Sequence, residues 1–432
     1  MKHYLILIAL CFLVYANSLN NAFISDDIPS IVNNPSIAQF KQLEPASLLN
    51  SLCYTIGKLN PFPYHLTNII LHCIATILVF HFLKRFFQPL ASLIGAGLFA
   101  IHPVHIEAVT WISGKPYIIL TIFILAVYLL YQRHYLLSLL SFTCYLIFNF
   151  SFFALVPFFI IFSDILFKKQ KQWRLWLPFL AVVIIRLFLA KPVITQRIIT
   201  VSRDIGSKTI TNPLFNFSYS FFEHLKLLFY PAKLTLYHEP AVISSLALKI
   251  ELLLLAILAI SLLFVFKKAK KIIFALGIFI LFLAPTYSPI TISWLVAERY
   301  LYFGCIMLSI FIAVIYSSMP KLLPLLLFIL MAFAVRTVAR NEDWKDTGRL
   351  WRSTVMVSPY SHRAHNNMGD AYIQEGNIQG AIKEFTEAVN LKPDYADGYY
   401  NLAVIYNTIG NTEYAQKLYN KAISLNKDLA KK

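Results

Sequence analysis

Apolar residues gather in long runs along the first three-quarters of this chain. They lie near 4–17, 66–83, 89–103, 116–132, 135–150, 152–167, 173–190, 243–266, 272–288, 297–317 and 321–338. Each approaches the roughly 20 residues that a helix needs to cross about 30 Å of hydrocarbon, so about eleven membrane spans are predicted. Backbone groups in lipid must be satisfied within each segment, and the region is therefore read as all-helical.

The polar breaks between the runs carry a topology. Lys84-Arg85, Arg133, Lys168-Lys169-Lys171 and Lys267-Lys268-Lys270-Lys271 fall in alternate loops, which the positive-inside rule assigns to the cytoplasm. The N-terminus is then inside and the C-terminus outside. Two long connections, 18–65 and 191–242, lie on the outer side, the second with Lys191, Arg197, Arg203 and Lys208. Leu214 to Tyr230 is apolar but interrupted by Glu223, His224 and Lys226, which suits a helix lying in the interface plane. A crossing there would move the C-terminus to the other side. The opening run to Tyr15 reads as an uncleaved first span in preference to a signal peptide cut near Ala16.

Beyond residue 339 the pattern turns charged and polar, and a repeat emerges. His365, Met368, Gly369, Tyr372, Ala381, Phe385, Ala388 and Pro393 return 34 residues later as Tyr399, Leu402, Ala403, Tyr406, Ala415, Tyr419, Ala422 and Lys427. Small residues where paired helices touch and aromatics that fill the gaps mark the tetratricopeptide pattern. One period earlier, Phe385 and Pro393 map onto Trp351 and Pro359, so Trp344 to Ser358 reads as the second helix of a degenerate repeat. The expected division is a membrane domain over 1–339, a junction with that half-repeat over 340–360, and two full repeats over 361–432. The predicted fold class is all-α, a polytopic membrane domain followed by a small α-solenoid.

Composition narrows the class further. A chain of 432 residues that is 58% hydrophobic and 14% charged, with mean hydropathy +0.64, is no soluble globular protein. The net charge of +17 sits mostly in short loops between apolar runs, so it reports topology and predicts no nucleic-acid partner. Of five cysteines, Cys11, Cys73, Cys144 and Cys305 fall in apolar runs and Cys53 in a loop. No disulfide framework or paired-cysteine metal spacing follows.

Candidate chemistry gathers on the outer face. Asp26 and Asp27 adjoin just beyond the first span; two carboxylates near an apolar surface push their pKa values apart and leave one as a general base. The plain alternative is a solvated loop in which Asp27 or Ser30 caps a short helix. His102, His105 and Glu107 share that face, but their spacing does not set all three on one helical face. Polar substrate contacts or a buried hydrogen-bond network are expected there in preference to a metal. Glu298 and Arg299 stand at the outer entry of a span, where ionisable groups face a cavity or a partner. The planar fork of Arg299 suits a phosphate, and a structural ion pair is the alternative. Arg186 is a second phosphate candidate or snorkels to the surface.

Several motifs then occur in one order: Phe23-Ile24-Ser25-Asp26-Asp27 with Ile31-Val32-Asn33-Asn34, Tyr64-His65-Leu66-Thr67-Asn68 with Leu71-His72, and His102-Pro103-Val104-His105-Ile106-Glu107-Ala108-Val109. Asn212-Pro213, Tyr230-Pro231-Ala232-Lys233-Leu234, Ala297-Glu298-Arg299-Tyr300-Leu301-Tyr302 and Arg340-Asn341-Glu342-Asp343-Trp344 follow. Together they resemble the transmembrane and tetratricopeptide-repeat O-mannosyltransferases over nearly the whole chain.

That resemblance implies the GT-C glycosyltransferase fold, a polyprenyl-phosphate sugar donor, a mannose-like sugar, and an acidic pair in the first outer loop that Asp26 and Asp27 match. It implies an inverting displacement in which one of these carboxylates takes the proton of an acceptor hydroxyl, a role worth about 10²–10⁴ in rate. Arg299, with Arg186 or Lys115, would neutralise the leaving phosphate. His65, His102, His105, Glu107 and Glu298 would contact substrate. A divalent metal could join the Asp pair, although nothing in the sequence requires one. The repeats would hold an extended peptide, as acceptor or partner, or cap the membrane domain. Only two clear repeats occur where eukaryotic members carry long arrays, which suggests a bacterial homologue in the inner membrane with its repeats in the periplasm. Two rival readings are a membrane-anchored scaffold, for which so many spans are excessive, and a transporter, which would set its polar groups nearer the midplane.

Overall fold

In the computed structural model the described residues are 1–131, 133–148, 152–168, 173–205, 213–239, 249–257, 261, 269–287 and 294–431. All regular structure among them is helical. They form two compact units, Met1–Ala232 with Ile243–Glu342, and Lys233–Val242 with Asp343–Lys432.

The first unit opens with α1 (Lys2–Tyr15), α2 (Pro45–Gly57), α3 (Phe62–Leu83), α4 (Pro89–Ile101) and the single turn α5 (Ile106–Val109). It continues through α6 (Lys115–Tyr131), α7 (Tyr135–Phe148), α8 (Val156–Phe167), α9 (Trp173–Ile205), α10 (Pro213–Phe229), α11 (Lys270–Phe282), α12 (Leu301–Gly304), α13 (Ile306–Ser318) and α14 (Leu323–Asn341). Proline sits in the first turn of α2, α3, α4 and α8, where its missing N–H costs nothing and its φ already suits a helix.

Helices thus form along the apolar runs, but they do not all qualify as spans. Four described helices are long and apolar enough to cross a membrane, or six if each of two bent pairs is one span; about eleven crossings were expected. Lys2–Ser18, Tyr135–Leu146 and Val156–Phe167 are apolar but shorter. The run 243–266 falls mostly outside the described residues, as do Lys169, Lys171, Lys267 and Lys268. Helix α9 continues to Ile205 through Pro192, past the expected end at residue 190.

Both bent pairs shape the interior. Pro89–Ile101 meets Pro103–Val109 at 48°, because Pro103 has no N–H to continue the ladder and pushes His102 into extended backbone (ψ 128°). Glu298–Gly304 meets Ile306–Ser318 at 46°. Helices α4 and α13 approach closely at Gly95, where a Cβ would stand 2.6 Å from the Ser309 carbonyl oxygen; small residues at such contacts are the usual packing device in membranes.

The second unit contains α15 (Thr347–Val357), α16 (His362–Gln374), α17 (Ile378–Leu391), α18 (Ala396–Thr408) and α19 (Thr412–Leu425). Asp346, Ser361, Asn377 and Asn411 cap α15, α16, α17 and α19 by accepting a backbone N–H. Gly376 and Gly410 take positive φ (76° and 85°) between the helices of each pair, a conformation glycine adopts without a Cβ penalty. Phe385, Leu402, Ala403 and Leu418 fill the core between pairs. The extended stretch 233–239 packs onto this unit: Ser358 donates to the Tyr237 carbonyl at 2.7 Å, Asn367 donates to the Tyr237 hydroxyl at 2.9 Å, and the Tyr237 and Trp351 rings meet at 5.4 Å.

Candidate active site

A polar stripe on α3 organises one end of the first unit. His65, Asn68 and His72 recur at helical spacing and are all buried, so each must find a partner within the fold. His65 donates from Nε2 to the Asn21 carbonyl at 3.0 Å. Asn68 donates to the carbonyls of Val109 and Trp111 at 3.1 and 3.0 Å. His72 donates from Nε2 to Ala100 at 2.9 Å and accepts on Nδ1 from the Tyr302 hydroxyl at 2.6 Å. One helix therefore anchors the loop after α1, the turn after α5, the end of α4 and α12.

The two aspartates sit in opposite surroundings. Ser25 takes positive φ (51°), an uncommon conformation for a residue with a Cβ, and the chain turns so that Asp27 points inward. Asp27 is fully buried; its Oδ1 accepts from the Ser113 amide at 2.9 Å and from the Ser113 hydroxyl, and its Oδ2 accepts from the Ile24 amide at 3.2 Å. Burial pushes its carboxyl up to about 7, against the pull of the Ser113 and Ile24 hydrogen bonds and of Lys115. Asp26 is exposed. Desolvation raises its carboxyl, and the field of Arg299 opposes that shift.

Arg299 arrives from the second bent pair. Its amide donates to Glu107 Oε2 at 2.8 Å and its Nη1 to Glu107 Oε1, so the buried Glu107 holds both the backbone and the guanidinium plane. Glu298, also buried, lies close enough to repel Glu107 electrostatically. The guanidinium rests 5.2 Å from the centre of the Tyr300 ring. Arg299 lines a small, largely apolar cleft with Tyr117, Leu120, Thr121, Phe282, Tyr300, Tyr302 and Phe303.

The other candidates are placed as follows. His102 accepts on Nδ1 from the Val104 amide at 3.1 Å and donates from Nε2 to Leu228 at 2.9 Å. His105 donates from Nδ1 to Phe99 at 2.8 Å and packs on Tyr302, ring centres 4.5 Å apart. Both histidines take part in the hydrogen-bond network of the bend. Lys115 is buried against Asn50 and the Tyr64 ring, and its charge acts on Asp27. Arg186 donates to the Leu146 carbonyl at 3.1 Å on α7, in a helix that packs on α7 and α8. Among the described residues, no three His, Cys, Asp or Glu side chains converge as metal ligands would, and both Asp27 oxygens already accept from backbone amides.

Ser113, Asn68, Thr110 and Asn341 were not among the site residues expected from the sequence, although Asn68 and Asn341 fall within its motifs. Asn341 donates to the Val14 carbonyl at 2.7 Å and to Asn17 Oδ1 at 2.8 Å, and accepts from the Thr110 hydroxyl at 2.6 Å. It ties the end of α1 and the turn after α5 to the last helix of the unit. The order Arg340-Asn341-Glu342-Asp343-Trp344 was the only sequence signal for it.

These features define a class: a helical membrane protein with a polar site at one end of its bundle and a tetratricopeptide unit after its last apolar helix. Tetratricopeptide-repeat family models match residues 369–410 and 396–429. The human protein O-mannosyl-transferase TMTC3 is 24% identical over 95% of this chain and 54% of its own length. A Caenorhabditis elegans protein O-mannosyl-transferase is 25% identical over 91% of this chain and 63% of its own. A Drosophila melanogaster protein O-mannosyl-transferase reaches 34% over 30% of this chain and 18% of its own length. The chain is a homologue of the transmembrane and tetratricopeptide-repeat O-mannosyltransferases. It spans little more than half the length of the curated relatives that match it end to end.

Proposed function

We propose that this chain is a membrane glycosyltransferase that moves a mannose-like sugar from a polyprenyl-phosphate carrier to a hydroxyl outside the cytoplasm, Ser or Thr of a polypeptide being the acceptor class. The observation that carries the reading is one exposed carboxylate, Asp26, within the field of a guanidinium that lines a small aromatic cleft. The relatives, protein O-mannosyl-transferases by name, point the same way.

In the transfer, the acceptor oxygen attacks the anomeric carbon while Asp26 takes its proton. The bond from that carbon to the phosphate oxygen breaks, the lipid phosphate leaves with the electron pair, and configuration inverts. The leaving group needs a cation and no proton. Arg299, its plane fixed by Glu107, meets that need in a water-poor setting where a preorganised charge acts strongly. The hydrocarbon of the carrier lies along Tyr117, Leu120, Phe282 and Phe303. Asp27, bonded to Ser113 and Ile24, shapes the loop that presents Asp26. The membrane is the cell's inner membrane, the site and the repeats face the periplasm, and the residues after 360 recruit the acceptor.

The test is Asp26→Asn in proteoliposomes with radiolabelled mannosyl-phosphoryl polyprenol. Transfer is expected to fall by about 10²-fold or more, with thermal melting unchanged. An unaltered rate overturns the assignment. Because the base must be ionised and its pKa is raised, the wild-type rate is expected to climb with pH through the range above ordinary carboxylates.

A further inference from the structure

Helix α3 has 22 residues, about 33 Å at 1.5 Å per residue. The Asp26 loop is anchored at its first turns, and a different cluster stands past its last. There Phe87, Phe167, Lys270, Lys271, Val314 and Ser318 line an open cleft of roughly 390 Å³. Lys271 donates to the Phe86 carbonyl at 2.7 Å and sits 4.3 Å from the centre of the Phe87 ring, which fixes its half-buried ammonium toward the cleft. Among the described residues no carboxylate pairs with Lys270 or Lys271. Asp164, on the neighbouring α8, is taken by Lys168 at 3.0 Å, Tyr131 at 2.9 Å and Trp176 at 3.0 Å.

A partly desolvated ammonium without a counter-charge is costly. At the end of a membrane helix the abundant anion is a lipid headgroup. The cleft is also amphiphilic, cationic at Lys270 and Lys271 and apolar along Phe87, Phe167, Ile272 and Val314. Lys84 and Arg85 follow α3 at the same end, Arg85 donating to the Leu129 carbonyl at 3.2 Å, so the local charge is a cation excess. A zwitterionic lipid would bring its own cation into that excess.

We propose that this cleft binds one anionic phospholipid, its phosphate on Lys270, Lys271 and Ser318 and an acyl chain along Phe87, Phe167 and Val314. The site lies apart from the transfer site and does not depend on that reading. Native mass spectrometry of the full chain in detergent, titrated with phosphatidylglycerol or phosphatidylcholine, tests it. One phosphatidylglycerol is expected to be retained in clear preference to phosphatidylcholine. At about 1 kcal/mol per lysine near an anionic lipid, Lys270→Gln with Lys271→Gln should weaken that retention roughly tenfold to thirtyfold. Lys270→Arg with Lys271→Arg keeps the charge and should keep the preference. Equal retention of both lipids by the wild type overturns the proposal. So does a glutamine pair that keeps the preference, or displacement of the lipid by millimolar glycerol phosphate, which would mark a site for free anions.

Discussion

At the scale of single residues, the turn at Ser25 places two adjacent aspartates in different surroundings. Their adjacency is plain in the sequence, and so is the expectation that their pKa values differ. Which one is buried was not legible, because the partner that decides it, Ser113, lies 86 residues away. The sign of the consequence can be worked out. Folded Asp27 titrates near about 7 against an ordinary 3.8, so between those values the folded chain holds a proton that the unfolded chain gives up. Stability therefore falls as pH rises through that window and levels off above it. In Asp27→Asn this group cannot ionise. Thermal melts in detergent should show the wild type losing more stability than the variant between about pH 5 and about pH 8. Equal losses would refute burial of the Asp27 carboxyl.

At the scale of elements, the length and apolarity of the runs were enough to locate the helices among the described residues, since a backbone in lipid has few alternatives. The bend at Pro103 has a visible cause in the sequence, yet 89–103 was read as a straight span. The other, between Gly304 and Ile306, carries no proline and had no counterpart in the reading of 297–317 as a straight span. Nor did a fixed span length anticipate the run of α9 through Pro192. The turn between α5 and α6 had no signal beyond its glycine, yet it delivers Ser113 to Asp27 and bounds the segment that carries Glu107. A Cβ on Gly114 would stand 2.3 Å from the Glu107 carbonyl oxygen and 2.8 Å from Ala108 Cα. Both obstacles are backbone, so they cannot rotate aside. Gly114→Ala should destabilise the fold by about 1–3 kcal/mol and lower transfer more than tenfold. Gly97→Ala is the control, because its Cβ would meet only Leu10 at 3.7 Å and its effect should be small in the same melts and assays.

At the scale of the whole molecule, the first unit is polarised along α3. Arg85 meets the end of α6 at the Leu129 carbonyl and Lys271 meets the Phe86 carbonyl, so basic loops that the charge pattern assigns to the cytoplasm converge past the last turn of α3. Asp26, Glu107 and Arg299 gather toward its first turns. Asn341 closes α14 at that same end, bonded to Asn17 and Thr110, and the chain leaves the unit one residue later. Membrane sidedness of everything after residue 342 is therefore set by the end of the bundle at which α14 finishes, whatever the number of crossings before it. A hydropathy count alone could not decide this, because α10 alters the parity if it spans. Its residue Leu228 accepts from His102, and its Ser220 hydroxyl lies 2.6 Å from that of Thr286, so α10 packs on the bundle through polar groups as well as apolar ones. A phosphatase reporter, which works only when exported, should be active fused after Lys432 and inactive fused after Lys84, where a reporter that works only in the cytoplasm should be active instead. Activity of both fusions on one side of the membrane would break the link between the two ends of α3 and the two faces of the bilayer, and with it the placement of Asp26 and the repeats together outside the cytoplasm.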